Sequence, residues 1–131
     1  MKLLLDTHIW LWSVLAPERL SSRVRRALRD RRNELWLSPI SVWELAVLSA
    51  KGRVVLNEDA KDWALKAISA GPLREATLTH DIALETANLQ MPHRDPADYF
   101  LAATARVLDL TLVTADKRLI ESRQCPVLAN P

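Results

Sequence analysis

Glycine is nearly absent from this 131-residue chain. There are two, too few to build a phosphate cradle of the GxGxxG or Walker type. A single cysteine, Cys125, excludes an intramolecular disulfide and any cysteine-based zinc site. The three histidines, His8, His80 and His93, form no HxxxH or HExxH pair, so a histidine-rich zinc centre is not expected. No GxSxG occurs, and Cys125 beside Pro126 has no sequence setting for nucleophilic catalysis. Long apolar runs are missing too. Met1-Lys2-Leu3-Leu4-Leu5-Asp6 is too short for a signal segment or a membrane span. The expectation is a cytoplasmic protein with no membrane partner, in keeping with a reducing compartment.

What is present describes an ordinary globular chain: 49% hydrophobic, 26% charged, net charge +2. One domain over residues 1–131 is expected, burying about 68% of the unfolded chain's surface. No internal repeat, low-complexity tract or linker interrupts it. Charge is uneven, with six arginines (Arg23, Arg25, Arg26, Arg29, Arg31, Arg32) against Asp30 alone in one short stretch. Either a phosphate-contacting patch or a plain solvated helix face accounts for that run.

Apolar periodicity alternates between strand and helix. Met1–Leu5 reads as a buried parallel strand, His8–Leu15 and Ser22–Arg32 as helices, and Glu34–Leu37 as a short strand. Ser38-Pro39 opens a helix that stops at Lys51-Gly52. Glu58–Ala70 is amphipathic, Leu73–Leu78 is a strand candidate, and Thr79 caps a helix through Leu89. Pro96–Leu108 is helical, Thr111–Val113 a strand, Lys117–Ser122 a short helix and Val127-Leu128 an edge strand. This order predicts an α/β fold with a short, mostly parallel twisted sheet of about four or five strands between helical layers. Ligands of such sheets gather beyond the strands' carboxyl ends.

Asp6 and Asp116 both stand at such ends. Each has a plainer account as a helix N-cap worth ~1 kcal/mol, and Asp98 as a first-turn acid complementing the helix dipole. Glu44 resists that explanation, because its helical neighbours are Ile40, Val47 and Leu48. A glutamate on a buried stripe costs several kcal/mol unless paired. Asp98 is similarly placed over Leu101, Ala102 and Ala105. If Asp6, Glu44, Asp98 and Asp116 converge, they need counter-charge, since two carboxylates ~4 Å apart repel by about 4 kcal/mol at an effective dielectric of ~20. A divalent cation would supply it, and carboxylate-held metal is suited to phosphodiester cleavage. Asp95, before Pro96, reads first as a helix cap and second as an edge residue of the same site. The tryptophans could stack bases, but most are expected in the core. Trp10 and Trp12 cannot share one helix face, so one is free to meet a partner.

These residues resemble a PIN domain, specifically the toxin of a VapBC-type toxin–antitoxin pair. The likeness spans nearly the whole chain. It rests on Leu-Leu-Leu-Asp6-Thr7-His8, Ser38-Pro39-Ile40-Ser41-Val42-Trp43-Glu44, His93-Arg94-Asp95-Pro96-Ala97-Asp98 with Leu101-Ala102-Ala103-Thr104-Ala105, and Leu112-Val113-Thr114-Ala115-Asp116. The resemblance implies a Mg²⁺- or Mn²⁺-dependent endoribonuclease whose acidic quartet is Asp6, Glu44, Asp98 and Asp116, with Thr114 supporting the last acid or its water. It also implies an RNA substrate, a homodimer, and a small antitoxin lying near the first helices. Tyr99 departs from the pattern, standing where such toxins often carry arginine. Alternatives are a non-catalytic RNA- or protein-binding module of the same fold, a DNA-cleaving nuclease, or a phosphatase using Asp6 as nucleophile. The last would need an aspartate where His8 stands.

Overall fold

Leucine occupies three consecutive positions in the first strand because both of its faces are covered. In the computed structural model, which describes all 131 residues, β1 (Lys2–Leu5) lies at the centre of a five-stranded sheet. The other strands are β2 (Glu34–Leu37), β3 (Leu73–Glu75), β4 (Thr111–Thr114) and β5 (Val127–Ala129). Their order is β3-β2-β1-β4-β5, and every pairing is parallel. Period-two alternation sends Leu3, Leu5 and Val113 into one core layer and Leu4 and Leu112 into the other. The first layer is closed by α1 (Thr7–Leu15), α2 (Ser22–Arg29), α3 (Pro39–Ala50) and α4 (Ala60–Ala70). The second is closed by α5 (His80–Glu85), α6 (Pro96–Leu108) and α7 (Lys117–Ser122). This is the predicted α/β architecture with its parallel sheet.

Local chemistry sets the helix starts. Asp6, Ser21, Ser38, Thr79, Asp95 and Asp116 each accept a backbone N–H at the first turn of the helix that follows. Several ends differ from expectation. The second helix stops at Arg29, because the Asp30 carboxylate accepts the Arg32 N–H and pairs with its guanidinium, closing a local turn. The fourth begins at Ala60, with Asp59 making no side-chain cap. The stretch after Thr79 is α-helical only to Glu85 and tightens to a 3₁₀ turn at Thr86–Asn88. The third strand is three residues long, though Ala76 still donates to Leu37 O at 2.9 Å. No helix is long and apolar enough to cross a membrane.

The chain runs outward from β1 through β2 to β3, then crosses back to β4 on the other side of β1. That reversal opens a crevice beyond the carboxyl ends of β1 and β4. Leu112, on β4, is fully buried. Its replacement by alanine should lower the free energy of unfolding by about 2–5 kcal/mol in urea titrations, with an unchanged m-value.

Candidate active site

The crevice is a cleft of about 340 Å³ lined by Asp6, Glu44, Asp95, Asp98 and Asp116, with His8, Trp12 and Arg118. The structure therefore brings all four strongest candidate acids, and Asp95, to one place. Thr114 sits just beneath them.

Asp6 is positioned from both ends. Its backbone N–H donates to Val113 O at 3.0 Å, extending the β1–β4 ladder. One carboxylate oxygen, Oδ1, caps the Thr7 N–H at 2.7 Å, and Oδ2 accepts the Thr114 hydroxyl at 2.6 Å. Thr114 Oγ1 in turn accepts the Asp116 N–H at 3.0 Å. One hydroxyl thus ties the two strand-end acids together. Burial drives the Asp6 pKa upward, partly opposed by those two hydrogen bonds.

Glu44 extends from the second turn of α3. The Thr7 hydroxyl donates to its Oε1 and lies 3.0 Å from Ser41 Oγ. Burial, with Asp6, Asp95 and Asp98 nearby, raises its pKa to about 7, although the Thr7 bond opposes the shift. Asp98, in the first turn of α6, meets His93 Nε2 at 2.7 Å. Its pKa is pushed up to about 6 by burial and by neighbouring acids, against the His93 contact. Asp116 behaves differently. Burial would raise it, but hydrogen bonds and charge from Arg118 hold it below the ordinary carboxylate value. Arg118 Nη2 lies 3.1 Å from Asp116 Oδ2 and 3.8 Å from Asp98 Oδ2. Asp95 caps the Ala97 N–H at 3.1 Å while lining the cleft, so both readings of it coexist.

As the side chains stand, no three aspartate, glutamate, histidine or cysteine groups are gathered tightly enough to hold an ion in a single shell. Each acid is turned toward its own donor: Thr114, Thr7, His93 or Arg118. Donor chemistry still sorts the candidates, because an all-carboxylate set suits hard cations such as Mg²⁺ or Mn²⁺ rather than zinc or copper.

Sequence reasoning gave the histidines little weight, yet His93 holds Asp98 and His8 lines the cleft. Arg118 was missed altogether. The available signal for His93 was its place five residues before Asp98, in the same loop-to-helix entry. Trp43, which has no individual placement from sequence, is 55% exposed in an open groove between α3 and α4. Trp10 and Trp12 do divide as expected, Trp10 buried and Trp12 half-buried at the cleft. Tyr99 packs with the satellite core around Ile82 and Leu89 and is not among the cleft's lining residues.

A model of the family described as PIN domain matches residues 3–123. The chain belongs to the PIN domain family. Among curated relatives, Ribonuclease VapC22 of Mycobacterium tuberculosis (strain ATCC 25618 / H37Rv) is 33% identical over 121 residues, which is 92% of this chain and 91% of that protein. Two solved structures share the PIN fold. VapBC2 from Rickettsia felis, bound to a DNA fragment from their promoter, superposes with a TM-score of 0.73 at 15% identity over 98% of both chains. The DNA-bound VapBC from Salmonella typhimurium gives 0.70 at 17% identity, over 100% of this chain and 99% of that one.

The raised acids give the PIN domain a pH signature. A carboxyl whose folded pKa exceeds its unfolded value binds more protons when folded, so stability falls as pH rises between the two values. For Glu44 that window runs from 4.5 to about 7. Without divalent ions, the urea midpoint should decline between about pH 5 and 7.5. The decline should be shallower in Glu44→Gln, and added Mn²⁺ should restore the midpoint above pH 7.

Proposed function

We propose that this chain is a metal-dependent endoribonuclease and the toxin of a VapBC-type toxin–antitoxin pair. The observation that carries the reading is the convergence of Asp6, Glu44, Asp98 and Asp116, from four separate segments, on one cleft at the carboxyl ends of β1 and β4. The likeness to Ribonuclease VapC22 supports RNA as the substrate. Asp6, Asp98 and Glu44 would hold a Mg²⁺ or Mn²⁺, directly or through its waters, with Asp116 completing the set or orienting the attacking water. When bound, such an ion lowers the pKa of a coordinated water and offsets charge developing on the phosphate oxygens. Thr114 fixes the Asp6 carboxylate and, through the Asp116 N–H, the start of α7. His93 orients Asp98, and Asp95 orders the first turn that carries it. Trp12, beside the acids, offers a ring for an unstacked base.

Asp6→Asn should reduce Mg²⁺-dependent cleavage of single-stranded RNA to background while retaining the far-ultraviolet dichroism of the native fold. Full activity in that variant would refute the assignment. Titration calorimetry with Mn²⁺ separates the nuclease from a binding module of the same fold, which would show no site-specific heat.

The antitoxin would seat in a second, apolar groove of about 370 Å³, lined in part by Trp10, Val14, Leu20, Leu28 and Leu35 on α1, α2, β2 and the turn between the first two helices. An exposed apolar groove of this kind accepts an amphipathic or extended segment. A homodimer would use the exposed apolar face of α3 and α4, where Trp43, Leu65 and Ile68 lie open. A cytoplasmic setting accords with an RNA substrate. Val14→Glu should abolish capture of the neighbouring antitoxin in pull-down while leaving RNA cleavage by the isolated protein intact.

A further inference from the structure

Arg118 is the one permanent cation among the residues lining the acidic cleft; no lysine and no second arginine faces it. Its position follows from the chain. Asp116 caps α7 by accepting the Arg118 backbone N–H at 2.8 Å, which fixes the Arg118 Cα beside the acids. The side chain then folds back. Its Nη2 reaches Asp116 Oδ2 at 3.1 Å and stands 3.8 Å from Asp98 Oδ2, while Nε lies 3.4 Å from Asp116 Oδ1. The guanidinium therefore spans two of the four proposed ligands, one on α6 and one at the end of β4.

Two properties make that hold exchangeable. The Arg118 side chain is 54% exposed, so its ion pairs are screened by water and individually weak. The backbone cap is independent of the side chain, so the guanidinium can leave without uncapping α7. A divalent cation on Asp98 and Asp116 would neutralise the charge that attracts the guanidinium. The freed fork would remain tethered at the mouth of the cleft, and its planar donors match a phosphate in two-point fashion. Tyr99, the residue after Asp98, packs with the satellite core and does not line the cleft, so Arg118 is left as the cleft's phosphate-matching cation.

Resting on the nuclease reading above, we infer that Arg118 is an exchangeable internal counter-ion: it pairs with Asp116 and Asp98 in the metal-free protein and passes to an RNA phosphate when a divalent cation takes those carboxylates. The exchange predicts opposite effects from one substitution. Arg118→Ala removes a competitor of the metal, so Mn²⁺ alone, titrated calorimetrically, should bind about two- to fivefold more tightly than to the wild type. The same variant loses a charge-assisted contact to substrate, so its KM for a single-stranded RNA should rise by about tenfold or more. Arg118→Lys keeps the charge and loses the fork. It should bind Mn²⁺ like the wild type yet retain the raised KM. A residue that only props up Asp116 would instead weaken Mn²⁺ binding when removed. Unchanged or weaker Mn²⁺ affinity in Arg118→Ala overturns the exchange, and an unchanged KM overturns the phosphate contact. No site-specific Mn²⁺ heat in the wild type would overturn the nuclease reading itself, and the inference with it.

Discussion

Balancing negative charge is the constraint around which the carboxyl end of this molecule is organised. Five carboxylates line one cleft, and their donors are unequal in kind. Thr114 and Thr7 bring neutral hydroxyls, His93 a ring that is charged only when protonated, and Arg118 a fixed positive charge. The direction of each pKa follows from that difference. Asp116, hydrogen-bonded by the guanidinium, is held down, and the acids bonded to hydroxyls or the imidazole are pushed up by burial. Hydrogen bonds from neutral groups satisfy lone pairs without cancelling charge. The protein's own donors therefore leave the cleft short of positive charge, which is the condition under which a hard divalent cation binds most favourably.

The fold delivers this crowding at small cost because the acids also act as structure. Asp6, Asp95 and Asp116 each cap a helix with one carboxylate oxygen, which leaves lone pairs available to the cleft. Parallel pairing of β1 with β4 sets Leu5 against Val113, so the two strand-end aspartates emerge together at the point where strand order reverses. The Thr114 hydroxyl, itself fully buried, then joins them. Glu44 and Asp98 reach the same space from opposite layers, on α3 and α6. Two helix layers and two strand ends thus meet where each contributes an acid.

How much of this could be read from the sequence depends on whether a residue broke a local rule. Glu44 and Asp98 were visible because an acid on an apolar helical stripe has no inexpensive explanation, and Asp6 and Asp116 because they end apolar strands in an α/β pattern. His93 and Arg118 broke nothing. One is a loop histidine, the other a basic residue in a first turn, and only tertiary contacts give them roles. Trp43 could not be placed from sequence for a related reason. Periodicity shows that α3 is apolar on more than one side, but only the packing of α1 and α4 decides which side stays open. The early end of α2 came from the Asp30–Arg32 turn, where side-chain hydrogen bonding outcompeted continuation of an arginine-rich helix. The arginines past that end gather with Arg74 around the amino ends of β2 and β3, away from the acids.

Helix α1 contributes to both the apolar groove and the acidic cleft. Trp10 and Trp12 project to different sides of it, the first into the apolar groove, the second into the acidic cleft. His8 packs against Trp12 with ring centroids 5.8 Å apart, and the Arg19 guanidinium lies 4.3 Å from the Trp12 ring centroid, bracing that side. Groove and cleft thus flank one helix, whose diameter with side chains is about 10–12 Å. An extended chain advances ~3.3 Å per residue, so three or four residues beyond a segment seated in the groove suffice to reach the acids. Under the proposed function, a partner seated in the groove would need only physical reach to bring a basic side chain to carboxylates that already attract one in Arg118. On that reading the PIN fold need not rearrange, because the carboxylates proposed to hold a cation would also be the groups that a basic partner side chain meets.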